Sequence, residues 1–159
     1  MQYVEKFEIK NTKFCGPHVS GTALEITETA TQIMNSTFKF NRNGKLKDNI
    51  MISFGKRFFL PKKGFAGGVI IATSCKVTIS HSTFKDNGAD YGGSVFAQQQ
   101  STIIIHNSSF TTNSAICGGA LFSSGSIIKI EASEFDINTA KNEGGVIYSS
   151  KYNKQKYIW

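Results

Sequence analysis

Between Val77 and Tyr148 one motif is written three times: VTISHSTFKDNGADYGGSVF, then IIIHNSSFTTNSAICGGALF from Ile103, then IKIEASEFDINTAKNEGGVIY from Ile128. Each copy has a strand-like run, Ser-x-Phe, an Asn three residues after the Phe, a Gly-Gly pair and a second apolar run. The phenylalanines are Phe84, Phe110 and Phe135, so the period is 26 and then 25 residues. A fixed period of this size marks a repeat architecture, and it limits the chain more than any single motif does.

The pattern extends back to two earlier anchors, Phe14 and Phe38. Five residues before the Phe is always Ile (Ile9, Ile33, Ile79, Ile105, Ile130), and seven before it is Phe7, Thr31, Val77, Ile103 or Ile128. The position between them is mostly polar: Glu8, Gln32, Thr78, Ile104, Lys129. Alternation of this kind predicts a strand with one buried face. A hydroxyl residue always stands two before the Phe (Thr12, Ser36, Ser82, Ser108, Ser133), which suits a bend that bonds nearby backbone. Asn41, Asn87, Asn113 and Asn138 follow their Phe by three, where Asn tolerates the left-handed conformation of a tight corner. Gly67-Gly68, Gly92-Gly93, Gly118-Gly119 and Gly144-Gly145 open the next strand and permit positive φ or close approach of the neighbouring layer.

A unit of about 25 residues with two apolar strands and two corners cannot bury its own apolar face and must stack on its neighbours. Successive strands then pair in parallel roughly 4.8 Å apart, with Phe and Ile ladders inside and an Asn ladder at a corner. The expected fold is an all-β, right-handed parallel β-helix of about five to six coils of ~25 residues, with one inserted loop or hairpin. The right hand rests on the general crossover rule together with the family resemblance given below. A helical solenoid is excluded, because period-3.6 Ala/Leu-rich segments are absent. The reading is one domain over residues 1–150, an insert at about 44–64, and a polar, basic tail at 151–159. With no cap-like segment before Phe7 or after Tyr148, the chain reads as a piece of a longer solenoid.

The insert separates Asn41 from its Gly pair at Gly67-Gly68 and reads GKLKDNIMISFGKRFFLPKKG. A hairpin about Gly55 is preferred over a sixth, degenerate coil, because Ser-x-Phe is lost. The formal net charge is +7, and Arg42 to Lys63 supply +6 of it through seven basic residues against Asp48 alone. The high isoelectric point is therefore one local patch. Lys45, Lys47, Lys56, Arg57, Phe58, Phe59, Lys62 and Lys63 form the candidate partner-binding surface, suited to an anionic polymer, a phospholipid surface or an acidic partner. A soluble flap packed against the solenoid explains the same residues. Nothing reads as a base-contacting module, so no nucleic-acid partner is expected.

No apolar stretch reaches the length of a transmembrane helix, and MQYVEKFEIK has no apolar core of a signal peptide. Cys15, Cys75 and Cys117 share no repeat position and form no CxxC, so free, partly buried thiols are expected and zinc is not. Two sequons mark Asn35 and Asn107 as candidate N-glycosylation positions. Both stand three before a Phe, where the repeat prefers Asn in any case. Strict alternation points that side chain inward.

Phe84/Asn87 with Gly92-Gly93-Ser94-Val95, Phe110/Asn113 with Gly118-Gly119-Ala120-Leu121, and Phe135/Asn138 with Gly144-Gly145-Val146-Ile147 resemble the FxxN and GGA(I/L/V) motifs of chlamydial polymorphic outer membrane protein repeats. Phe38/Asn41 with Gly67-Gly68-Val69-Ile70 fits once the insert is removed, so the resemblance covers roughly residues 31 to 148. It implies a pectate-lyase-like right-handed β-helix at the cell surface, or secreted, acting as scaffold or adhesin. The partners then expected are a host or cell-surface glycan or protein, or adjoining coils of a longer chain. No cofactor is expected. A carbohydrate-active enzyme of the pectin lyase-like fold is the alternative, since such enzymes cluster carboxylates. The candidates Asp86, Asp90, Glu131, Glu134, Asp136 and Glu143 do not stack at one repeat position, so catalysis is not expected. A truncated fragment without a role of its own is the third reading.

Overall fold

Hydrophobic alternation, hydroxyl bends and glycine pairs together wind the chain into a parallel β-solenoid. The computed structural model describes residues 6–15, 24–27, 29–39 and 68–150. In chain order, the first layer holds β1 (Lys6–Lys10), β2 (Lys13–Cys15) and β3 (Leu24–Thr27). The second holds β4 (Ala30–Met34), β5 (Thr37–Lys39) and β6 (Ile70–Thr73). The third holds β7 (Lys76–Ser80), β8 (Thr83–Lys85) and β9 (Val95–Gln98). The fourth holds β10 (Thr102–His106), β11 (Ser109–Thr111), β12 (Ser114–Cys117) and β13 (Leu121–Ser124). The fifth holds β14 (Ile127–Glu131), β15 (Glu134–Asp136), β16 (Thr139–Glu143) and β17 (Ile147–Ser150). Among the described residues there is no helix.

Three sheets run the length of the stack in the orders β1-β4-β7-β10-β14, β15-β11-β8-β5-β2 and β17-β13-β9-β6-β3, with β12 and β16 forming a short fourth. The strands make about four turns, slightly fewer than the five to six coils expected. The segment from which a sixth coil or a hairpin would come, 44–64, lies outside the described residues. It nevertheless leaves the register intact: Phe38 pairs with Phe84, and Ile70 with Val95.

Each coil carries at least three strands, not the two read from the sequence, and the fourth and fifth layers carry four. The apolar run is split because the residue three before each Phe takes a left-handed φ of 44–52° (Asn11, Asn35, His81, Asn107, Ala132). The following hydroxyl fixes the bend. Ser82 Oγ donates to the Ser80 carbonyl at 2.8 Å and accepts the Ser36 N–H at 3.2 Å, and Ser108 repeats both bonds one layer on.

The core sits on the axis. Ile33, Ile79, Ile105, Val77 and Ile103 are fully buried from the first sheet; Ile70, Val95 and Leu121 close the opposite side. Phe38, Phe84, Phe110 and Phe135 stack at ring separations of 4.9, 4.6 and 4.8 Å. That separation is the spacing of adjacent strands, so backbone pairing sets the ring contact.

The Asn column departs from expectation in an informative way. The left-handed residue at this corner is the one before it, Asp86, Thr112 or Ile137, at φ of 52–55°. That twist turns the Asn inward. Asn113 Nδ2 donates to the Phe84 carbonyl at 3.1 Å and to Asn138 Oδ1 at 2.9 Å. Its Oδ1 accepts the Asn87 N–H and Nδ2 at 3.1 and 3.0 Å. All four bonds of a buried amide are thus made. The glycine pairs divide their labour: Gly92, Gly118 and Gly144 take φ of 63–67°, while a Cβ on Gly93 would lie 2.2 Å from the Gly119 carbonyl oxygen.

Candidate functional site

The basic and aromatic insert, Lys45, Lys47, Lys56, Arg57, Phe58, Phe59, Lys62 and Lys63, lies outside the described residues. The two sequon asparagines do not. Asn35 and Asn107 sit at the left-handed bend before the hydroxyl ladder, at φ of 49° and 45°. Both are exposed, which corrects the inward placement that strict alternation gives. The reason is local: the left-handed residue breaks the two-residue period at that point, and the next residue, Ser36 or Ser108, goes inside instead.

The carboxylates stay dispersed. Asp86 accepts a hydrogen bond from Thr112 Oγ1 at 2.5 Å. Glu131 pairs with His106 Nδ1 at 3.0 Å on β14 and β10. Glu134 and Asp136 are exposed on β15, on a different sheet. The Asp90 carbonyl takes the N–H groups of Ile116 and Cys117. Among the described residues, no three His, Cys, Asp or Glu side chains come together in a way that would hold a metal ion.

One feature of the surface was not anticipated. On the sheet β3-β6-β9-β13-β17, the residues between the inward ones form a second apolar column: Ile71, Phe96 and Phe122, with Tyr91, Cys117 and Tyr148 packed against them. Phe96 stacks on Phe122 at 5.3 Å and Phe122 on Tyr148 at 4.9 Å, while Tyr91 meets Phe122 edge-on at 5.2 Å. The Tyr148 phenol donates a hydrogen bond to the Glu143 carboxylate, and this bond, reinforced by the carboxylate's charge, holds its pKa above the ordinary range. The signal was in the sequence, since an aromatic residue stands three after the second glycine in Phe96, Phe122 and Tyr148. Phe96 and Phe122 are buried, so this column packs the Gly-Gly turns onto the sheet, while Tyr91, Cys117 and Tyr148 at its margin are partly exposed.

The thiols divide by position. Cys75 is buried in a hydroxyl ladder, its N–H bonded to Ser101 Oγ at 3.3 Å, and Ser101 N–H in turn to Ser126 Oγ at 3.1 Å. Burial pushes its thiol up to about 11, against hydrogen bonds from Ser101 and the Thr73 backbone that pull it down. Cys117 is half-buried, and both are free. No protein-family model, curated protein or solved structure matches the chain.

Proposed function

We propose that this chain is a non-catalytic β-helix segment of a cell-surface or secreted protein, acting as scaffold or adhesin. The observation that carries the reading is where the reactive side chains are spent. Asn87, Asn113, Ser36, Ser82, Ser101 and Ser108 are all consumed in bonds between layers. What such a stack supplies is rigid length, and its loops supply contacts. The basic insert is the contact surface proposed for an anionic cell-surface glycan or an acidic protein, in keeping with the repeats that the chain resembles.

The test is binding of the full chain to an immobilised sulfated polysaccharide. Salt-sensitive binding that is lost in Lys56→Ala/Arg57→Ala/Lys62→Ala/Lys63→Ala, at unchanged stability, supports the reading. Turnover of polygalacturonate that disappears in Asp86→Ala would overturn it in favour of a carbohydrate-active enzyme.

A further inference from the structure

Two columns of asparagine run along the solenoid, and they face opposite ways. The inner column, Asn87, Asn113 and Asn138, spends its amides on the neighbouring layer and on the Phe carbonyls. The outer column stands at the left-handed bend before each hydroxyl: Asn11, Asn35, His81, Asn107 and Ala132, all exposed. Among the described residues, no hydrogen bond reaches the side-chain amide of Asn35 or Asn107. The backbone does not require asparagine at this bend, since His81 and Ala132 take the same left-handed φ, 48° and 44°.

The acceptor triplets fall on the outer column alone. Asn35 is followed by Ser36 and Thr37, and Asn107 by Ser108 and Ser109, so each has the hydroxyl two residues on that N-glycosylation requires. The inner asparagines miss it by that one position. Asn87, Asn113 and Asn138 are followed two residues on by Ala89, Ala115 and Ala140, although Ser114 and Thr139 stand between. An oligosaccharide on an inner amide would displace the ladder bonds and would have to lie inside the stack. On the outer column it meets solvent.

The bend also sets how each triplet is presented. It turns Ser36 and Ser108 into the core and returns Thr37 and Ser109 to the outer face of β5 and β11, half-buried. The asparagine and the hydroxyl two residues on therefore share the outside, while the residue between them is inside. One layer, carrying His81, separates Asn35 from Asn107. At roughly 4.8 Å per layer the two amides stand about 10 Å apart, so two oligosaccharides leave the same ridge from alternate layers.

We propose that Asn35 and Asn107 are N-glycosylated, each by an oligosaccharide delivered from a lipid-pyrophosphate donor. Asparagine Nδ2 forms an N-glycosidic bond to the anomeric carbon of the sugar and gives up one proton. The bond from that carbon to the lipid pyrophosphate breaks, and its electron pair leaves with the pyrophosphate. The inference rests on the reading of the chain as a cell-surface or secreted protein, because such donors are met on the secretory route. The bend ridge then becomes a carbohydrate-covered edge, and partner contacts are left to the other faces.

The test is peptide mass spectrometry of the full chain recovered from its source cells and their medium, with and without peptide-N-glycosidase. Intact cells are first labelled with a membrane-impermeant amine reagent. The expected result is oligosaccharide on the Asn35 and Asn107 peptides, released by the enzyme with conversion of Asn to Asp, and none on Asn11, Asn87, Asn113 or Asn138. Asn35→His and Asn107→His, which install the residue that the third layer already carries, each remove one glycan. Should a histidine variant fail to fold, Ser109→Ala removes the glycan at Asn107 and keeps the asparagine. Lys13→Thr completes a triplet at the exposed Asn11 and adds a third glycan. A surface-labelled or secreted chain with both asparagines bare overturns this proposal and leaves the surface reading standing. Bare asparagines on a chain that is neither labelled nor secreted overturn both. Enzyme-released sugar that persists in the folded Asn35→His/Asn107→His double variant overturns the assignment to these two residues.

Discussion

Asn113 and Asn107 differ by six positions and by nearly everything physical. Asn113 is fully buried with its amide bonded to Phe84, Asn87 and Asn138, whereas Asn107 is exposed at a bend that Ala132 occupies in the next layer. Asn113→Ala strands buried donors and acceptors on both neighbouring layers and is expected to cost about 3 kcal/mol or more in urea unfolding. Asn107→Ala is expected to cost only about 1 kcal/mol, the strain of a left-handed alanine. Cys75 gives a pH signature. Its thiol titrates near 9.0 when unfolded and at about 11 when folded, so its contribution is fully present below pH 9 and is lost as pH rises from 9 to 11. Stability should fall over that window by up to roughly 2 kcal/mol, and Cys75→Ser, which continues the Ser101 and Ser126 ladder, should remove that fall. At pH 8 only about a thousandth of Cys75 is thiolate, so a thiol reagent should label the half-buried Cys117 before Cys75.

The turn between β12 and β13 depends on a glycine pair whose second member, Gly119, has no room for a side chain. A Cβ on Gly119 would lie 2.2 Å from the Gly145 carbonyl oxygen and 2.7 Å from that of Thr139, both backbone atoms with nowhere to go. On Gly145, one layer further, a Cβ meets nothing within 4 Å. Gly119→Ala should therefore cost several kcal/mol, or prevent folding, while Gly145→Ala should stay within about 1 kcal/mol. Equal effects in thermal unfolding would mean that close approach of the next layer does not set the cost at Gly119. The comparison also shows what was legible in advance. The pairing of Phe, Ile and Gly-Gly columns followed from period alone, because a 25- to 26-residue repeat leaves the layers one register. The split of each apolar run into two strands did not, since it depends on a left-handed residue that is Asn in some copies and His81 or Ala132 in others. The outer column of Phe96, Phe122 and Tyr148 was present as a periodic aromatic but stood on the face that alternation assigns to solvent. The candidate insert site was legible only as charge, since composition locates a patch without giving its shape.

A stack of this kind behaves as a one-dimensional array, in which each layer is stabilised by the neighbours it touches and end layers have only one. The Phe column measures this directly. Phe110 is fully buried between Phe84 at 4.6 Å and Phe135 at 4.8 Å, while Phe135 is partly buried with a ring partner on one side among the described residues. The same truncation should then have position-dependent cost. Phe110→Ala removes a ring from the closed part of the column and leaves a cavity walled by two others, for an expected loss of roughly 3–5 kcal/mol. Phe135→Ala removes a ring already reached by solvent, where neighbouring water fills the space, and should cost roughly 1–2 kcal/mol. Both are read from urea unfolding at one protein concentration. A Phe110→Ala loss below about 1 kcal/mol would instead mean that the column is not the axis of the fold.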